Sequence, residues 1–203
     1  RDGIDPVLAG QVAAESQSHI GMARRLATSH EARSRRRETL LAALSISGVT
    51  SAVNTAERWL DIAKKDAEAL TTERDLEERT ATLRTMGLQP GDAIPNNLKS
   101  DLKALEEAQK RRATRSLRDG IDRILVDLLS LYRDILTLQI SAQIPLINAE
   151  LLPQIAEAAH ITTPAQTIEK LDAIAQARLR IDRNVRDLMV LESLAVSLRI
   201  KRG

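Results

Sequence analysis

Between Leu98 and Leu138 the apolar residues recur at the spacing of one long helix, and no other stretch constrains the fold as tightly. Leu98, Leu102 and Leu105 begin the stripe. After a polar, basic middle from Gln109 to Arg118, it widens through Ile121, Ile124, Leu125, Leu128, Leu129, Tyr132, Ile135 and Leu136. Intervals of three and four put side chains on one helical face, and a face this wide belongs in the centre of a bundle, contacted from more than one side. Gly120 interrupts the pattern and is a place for a bend, at a cost of about 1 kcal/mol relative to Ala.

The rest of the chain reads the same way. Asp5-Pro6 opens a first helix, since Asp accepts from free helix N–H groups and Pro suits the first helical position. Ser18 is placed to cap a second over His19–Ser29, with Gly21 permitting close packing near its start. A third covers Glu31–Leu44, its Arg-rich first half exposed and Leu40, Leu41 and Leu44 inward. Ser51–Met86 forms one long helix, its inward face Val53, Ala56, Leu60, Ala63, Ala67 and Leu70. The stripe fades from Thr71 to Thr82, a half expected to face solvent or a partner. Gly87 ends this helix in a left-handed conformation, and residues 87–97, with two Pro and two Gly, form a loop. Pro145 and Pro153 limit the next stretch to short helices. Thr163-Pro164 opens a helix with Ile168, Leu171, Ile174 and Ile181 inward, and Asn184 interrupts it before a last stripe of Leu188, Leu191, Leu194, Ala195 and Leu198. With one Trp, one Tyr and no Phe, the core is built from Leu, Ile, Val and Ala. The expected class is all-α: a multi-helix bundle over residues 38–203, preceded by a small helical piece over residues 1–37.

Several chemistries lack their residues. There is no Cys, so disulfides and thiolate metal sites are excluded. No Gly-rich phosphate loop with its Lys occurs, and no dinucleotide GxGxxG. His19, His30 and His160 have no metal-ligand spacing, and are read as surface or satisfied residues. No apolar run approaches the roughly 20 residues of a membrane span. The chain begins RDGIDP, without a Met, and reads like the middle of a protein whose N-terminal part is missing.

What remains is charge. The chain is nearly balanced at +2, but residues 1–37 hold seven Arg against four acids. One cluster is Arg33, Arg35, Arg36 and Arg37. A second is Lys110, Arg111, Arg112, Arg115 and Arg118, in which 111, 115 and 118 share a helix face with 112 close by. Three readings stand for that face: a solvated surface balanced by Glu106, Glu107, Asp119 and Asp122, a grip on a protein partner, or a grip on nucleic-acid phosphates. No aromatic accompanies either cluster, so base stacking is not on offer.

Three segments carry a family resemblance. LKALEEAQKRRATRSLRDGIDRILVDLLSLYRDIL (102–136) resembles the C-terminal region of the bacterial DNA polymerase III delta-prime subunit, a clamp-loader component. SQSHIGMARRLA (16–27) resembles the end of the AAA+ lid that precedes it, and IDRNVRDLMVLESLAVSLR (181–199) the last helices of its collar. The segments fall in the family's order; residues 50–100 carry little recognisable motif. The resemblance implies that residues 1–37 are the remainder of the lid. Residues 38–203 would be the collar, through which related subunits of the gamma/tau and delta types assemble into a ring. It also implies cytoplasmic location, no cofactor held by this part of the protein, no catalysis by it alone, and a bearing on the sliding clamp and DNA only through the full assembly. In the lid motif G-S-x-R-x-A-L an Arg reaches nucleotide phosphates. Gly21-Met22-Ala23-Arg24-Arg25-Leu26-Ala27 lies over it, with Arg24 at the Arg position and Met22 departing from Ser. The Lys110–Arg118 face is the candidate partner surface, and a basic helical nucleic-acid-binding module is the alternative.

Overall fold

The helix-ending signals act where their chemistry directs. In the computed structural model, which describes residues 5–16, 20–89 and 91–200, eight α-helices account for most of the described residues, and none of those residues lies in a strand. They are α1 (Pro6–Glu15), α2 (Ile20–Thr28), α3 (His30–Leu44), α4 (Val49–Thr85), α5 (Lys99–Gln139), α6 (Leu152–Ile161), α7 (Pro164–Asp182) and α8 (Asp187–Ser197). Asp5 caps α1, its carboxylate accepting from the Val7 N–H, with Pro6 first in the helix. Ser29 accepts from Ala32 N–H to cap α3. Thr163 and Gln166 reciprocate across the start of α7 as a capping box, with Pro164 at its first position. Gly87 takes a φ of +75° after α4, and the N–H groups of Gly87 and Leu88 donate back to Arg84 and Leu83, which closes the last turn. Asn184, at φ +60°, closes α7 in the same way. The expected cap Ser18 lies outside the described residues.

The chain divides into two compact units, residues 1–60 with 122–203, and residues 61–121. Arg37, after which a boundary is expected from the sequence, lies within α3 and within the first unit.

The first unit is organised around the second half of α5. No residue from Ile121 to Gln139 is exposed, so this helix is enclosed on every side. Leu125, Leu128 and Leu131 are inaccessible, as are Leu40, Leu151, Leu191 and Leu198. The lone Trp59 is also fully buried, and its indole N–H donates to the Thr39 carbonyl (3.2 Å), so its polar edge is satisfied. A smaller cluster of Val12, Leu26 and Ala32, with Leu8, Met22 and Ala27 against it, joins α1, α2 and the start of α3.

The second unit is an antiparallel hairpin of α4 and α5, because pairings run in opposite chain directions: Ala63 meets Gly120, Asp75 meets Arg112, and Arg79 meets Glu106. Its seam is thin, with Ala63, Ala67 and Thr71 buried toward one end and Leu83 and Leu102 toward the other. A Cβ at Gly120 would lie 3.1 Å from the Ala63 carbonyl oxygen and 3.3 Å from its Cα. Gly120 therefore lets two backbones approach, and α5 continues through it without a break. The Thr71–Thr82 half of α4, read from sequence as facing solvent or a partner, contacts α5 through polar groups of its own hairpin.

Two inward faces differ from expectation. On α4, Leu70 is 51% exposed and Thr71 is buried, its hydroxyl donating to the Ala67 carbonyl. A helix of 3.6 residues per turn drifts from a run of three-and-four intervals, and over this length the drift moves the buried line by one residue. On α7, Ile168 is 48% exposed while Thr167 and Lys170 are buried, a displacement of one residue in the opposite direction, toward the start of the helix. Gly21, expected to permit close packing, is exposed.

Candidate functional site

The Arg-rich start of α3 does not form a single exposed face. Arg33 turns back to donate to the Leu26 carbonyl and, at 3.3 Å, to that of Ala27, which satisfies the end of α2. Arg37 is exposed. Arg36, expected outside, is 6% exposed and forms the centre of a polar network inside the first unit. Its Nε donates to Asp127 Oδ1 at 2.9 Å, and one Nη donates to Asn148 Oδ1. Its other Nη lies 3.6 Å from Glu15 and 3.6 Å from Glu150. The network continues from Asn148, whose side-chain amide donates to Ser130 Oγ (3.1 Å) and to Asp134 (2.9 Å). Asp134, with no accessible surface, also accepts the backbone N–H groups of Ile147 and Asn148. Residues of α1, α3, α5 and the segment before α6 are thus tied through one guanidinium.

Three carboxylates converge on Arg36, and burial raises two of them, Asp127 and Glu150, against the pull of the nearby arginines. Desolvation pushes Asp127 up to about 6, with Arg36 opposing it and Glu15 adding repulsion. Glu150 is also raised, first by desolvation, with Glu15 again adding repulsion. The two share a neighbourhood, and the charge of Glu15 acts on both. The carboxylates converge on a cation, not on an open centre, and among the described residues no three metal-ligating side chains gather to hold an ion.

The second basic cluster divides as well. Lys110, Arg111 and Arg115 are exposed on the hairpin, and Arg118 is half-buried. Arg112 leaves their face and bridges to α4, donating to Asp75 and, at 3.0 and 3.1 Å, to both oxygens of Glu78. Hydrogen bonds from Arg112 and Arg74 hold the Glu78 carboxyl below its usual range. The Arg112 guanidinium is thereby engaged within the hairpin, which leaves Lys110, Arg111 and Arg115 as the outward part of the candidate face.

Arg24 is exposed on α2, with no side-chain partner among the described residues. His30 and His160 are exposed, and His19 lies outside the described residues.

The buried network was not foreseen, yet one signal for it is present. Asp127, Ser130 and Asp134 are spaced three and seven apart within the most apolar part of α5, so they share a face where a fully enclosed helix has no solvent to offer. Polar residues in phase on such a helix require internal partners. Lys170 carries the same signal on α7, in phase with Ile174, Ala177 and Ile181.

Compared with protein-family models, curated proteins and solved structures, the chain matches none of them. What the fold defines is a class: an all-α chain of helices. No helix among the described residues is long and apolar enough to cross a membrane.

Proposed function

We propose that the chain is an assembly module whose helices pack internally on one side and against other proteins on the other. Specifically, we read it as the lid remainder and collar of a clamp-loader subunit of the delta-prime type, working in the cytoplasm to hold related subunits together while a sliding clamp is placed on DNA. The observation that carries the reading is the order of the three resembling segments, which fall on α2, on α5 and on the end of α7 with α8. The separate cluster around Val12 and Leu26 supports it, since a lid remainder has a small core of its own. Contact surfaces follow from exposure. Leu179, Val185 and Met189, at 46, 40 and 58% exposed, flank the α7–α8 turn, and Lys110, Arg111 and Arg115 line the hairpin. A specific interface of this kind buries at least roughly 1,000 Å² in total.

The test is reconstitution. The chain mixed with gamma/tau-type and delta-type subunits is expected to co-elute with them in size-exclusion chromatography. Leu179→Asp with Met189→Asp is expected to weaken co-elution while leaving the melting temperature of the chain unchanged. A chain that joins none of these subunits overturns the reading. Alone it is expected to hydrolyse no ATP, and sustained phosphate release would contradict that. Salt-sensitive DNA binding by the isolated chain would favour the nucleic-acid alternative instead.

A further inference from the structure

Where α6 ends, α7 begins and α8 ends, a buried cation stands without an ion pair among the described residues. Lys170 is 6% exposed. Its Nζ lies 5.6 Å from the centroid of the Tyr132 ring, and no hydrogen bond or ion pair reaches it among the described residues. Burial pushes the amine down from its ordinary value, with the charge of Glu169 opposing. A buried ammonium ordinarily requires a partner, and a ring face supplies only part of what water gave.

Lys170 borders two hollows. One, beside Tyr132 and Ile135, holds about 10 Å³, enough for at most one water. The other holds about 40 Å³ and is lined by Thr162, Gln166, Glu169, Lys170, Ser197 and Arg199. Arg199 uses its Nε on the Val196 carbonyl (3.1 Å), and the rest of its guanidinium has no partner among the described residues. Two cations and one carboxylate therefore face this cleft. The remaining single positive charge matches a monoanion, whereas a phosphate dianion would meet Glu169. The volume admits a carboxylate group and is too small for a nucleotide. Guanidinium and ammonium groups both bind carboxylates through charge-assisted hydrogen bonds.

We propose that the Lys170–Arg199 cleft is a carboxylate-binding site, its occupant either a free small acid or the acidic side chain of another protein. This site is independent of the clamp-loader reading.

Lysine side-chain NMR of the intact chain tests it, with sodium acetate, a capped glutamate amide and inorganic phosphate as probes and sodium chloride as the ionic-strength control. Acetate is expected to shift the Lys170 ε-methylene signal saturably. Lys170→Met and Arg199→Gln, both folded by circular dichroism, are expected to abolish saturable acetate binding detected on neighbouring methyl signals. Saturation by acetate alone assigns the site to a free acid, and saturation by the capped glutamate as well assigns it to a protein side chain. Shifts no larger than those given by chloride, or phosphate binding more tightly than acetate, would overturn the proposal.

Discussion

Arg36 and Arg112 both tie separate helices together through carboxylates, yet their surroundings give them different consequences. Arg36 is enclosed, and its partners Asp127 and Asn148 lie 91 and 112 residues away in sequence. Arg112 stands on the hairpin with its side chain 27% exposed, where water competes for Asp75 and Glu78. Burial raises the stake of every polar group, because a partner that is lost cannot be replaced by solvent. The comparison shows that the first unit depends on a specific polar network inside a broad apolar core, and the second on a narrow seam with solvent-exposed bridges.

Removing the cation from the enclosed network is expected to have the largest effect. Arg36→Met leaves Glu15, Asp127 and Glu150 facing one another, and should lower stability by about 3–5 kcal/mol, as for other broken buried pairs. Urea unfolding followed by circular dichroism measures it. Asn148→Ala keeps the charges but strips hydrogen bonds from Arg36, Ser130 and Asp134, and should cost about 1–3 kcal/mol in the same assay.

Next comes pH. Asp127 ionises near pH 6 in the folded chain, against an ordinary value of 3.8, so between these values the folded state holds more protons than the unfolded one. Its contribution to stability is full below about pH 3.8 and is lost as pH rises through about 6. Asp127→Asn should flatten the stability profile across that window, and an unchanged slope would remove Asp127 as its source. The smallest effect is expected from Arg112→Met, a slight loss that shrinks further in high salt. An effect as large as that of Arg36→Met would erase the distinction between the two arginines.

The sequence made the helices legible because their signals are local. Asp5-Pro6, Gly87, Thr163-Pro164 and Asn184 each act within one turn of themselves, and the enclosure of α5 follows from the width of its own apolar face. The displaced faces at Leu70 and Ile168 were not legible, because helical drift and the direction of packing are fixed by neighbours. Arg36 shows the limit most clearly. Among four clustered arginines, nothing nearby in sequence distinguishes Arg36, which meets Asp127 and Asn148, from Arg33, which closes the end of α2, or from Arg37, which is exposed. Lys170 was missed for a related reason: the groups that line its cleft come from three helix ends. Of the candidate basic face, the helical register was legible, but not the departure of Arg112 toward α4.

Native-state hydrogen exchange under EX2 conditions measures the contrast between the units residue by residue. The account expects amides of residues 124–135, inside the enclosed part of α5, to open only with global unfolding. Those of residues 66–82 and 102–117 in the hairpin should open at distinctly lower free energy, and Arg36→Met should lower protection of the first set more than Arg112→Met lowers that of the second. Equal protection in both units, with equal response to the two substitutions, would contradict it.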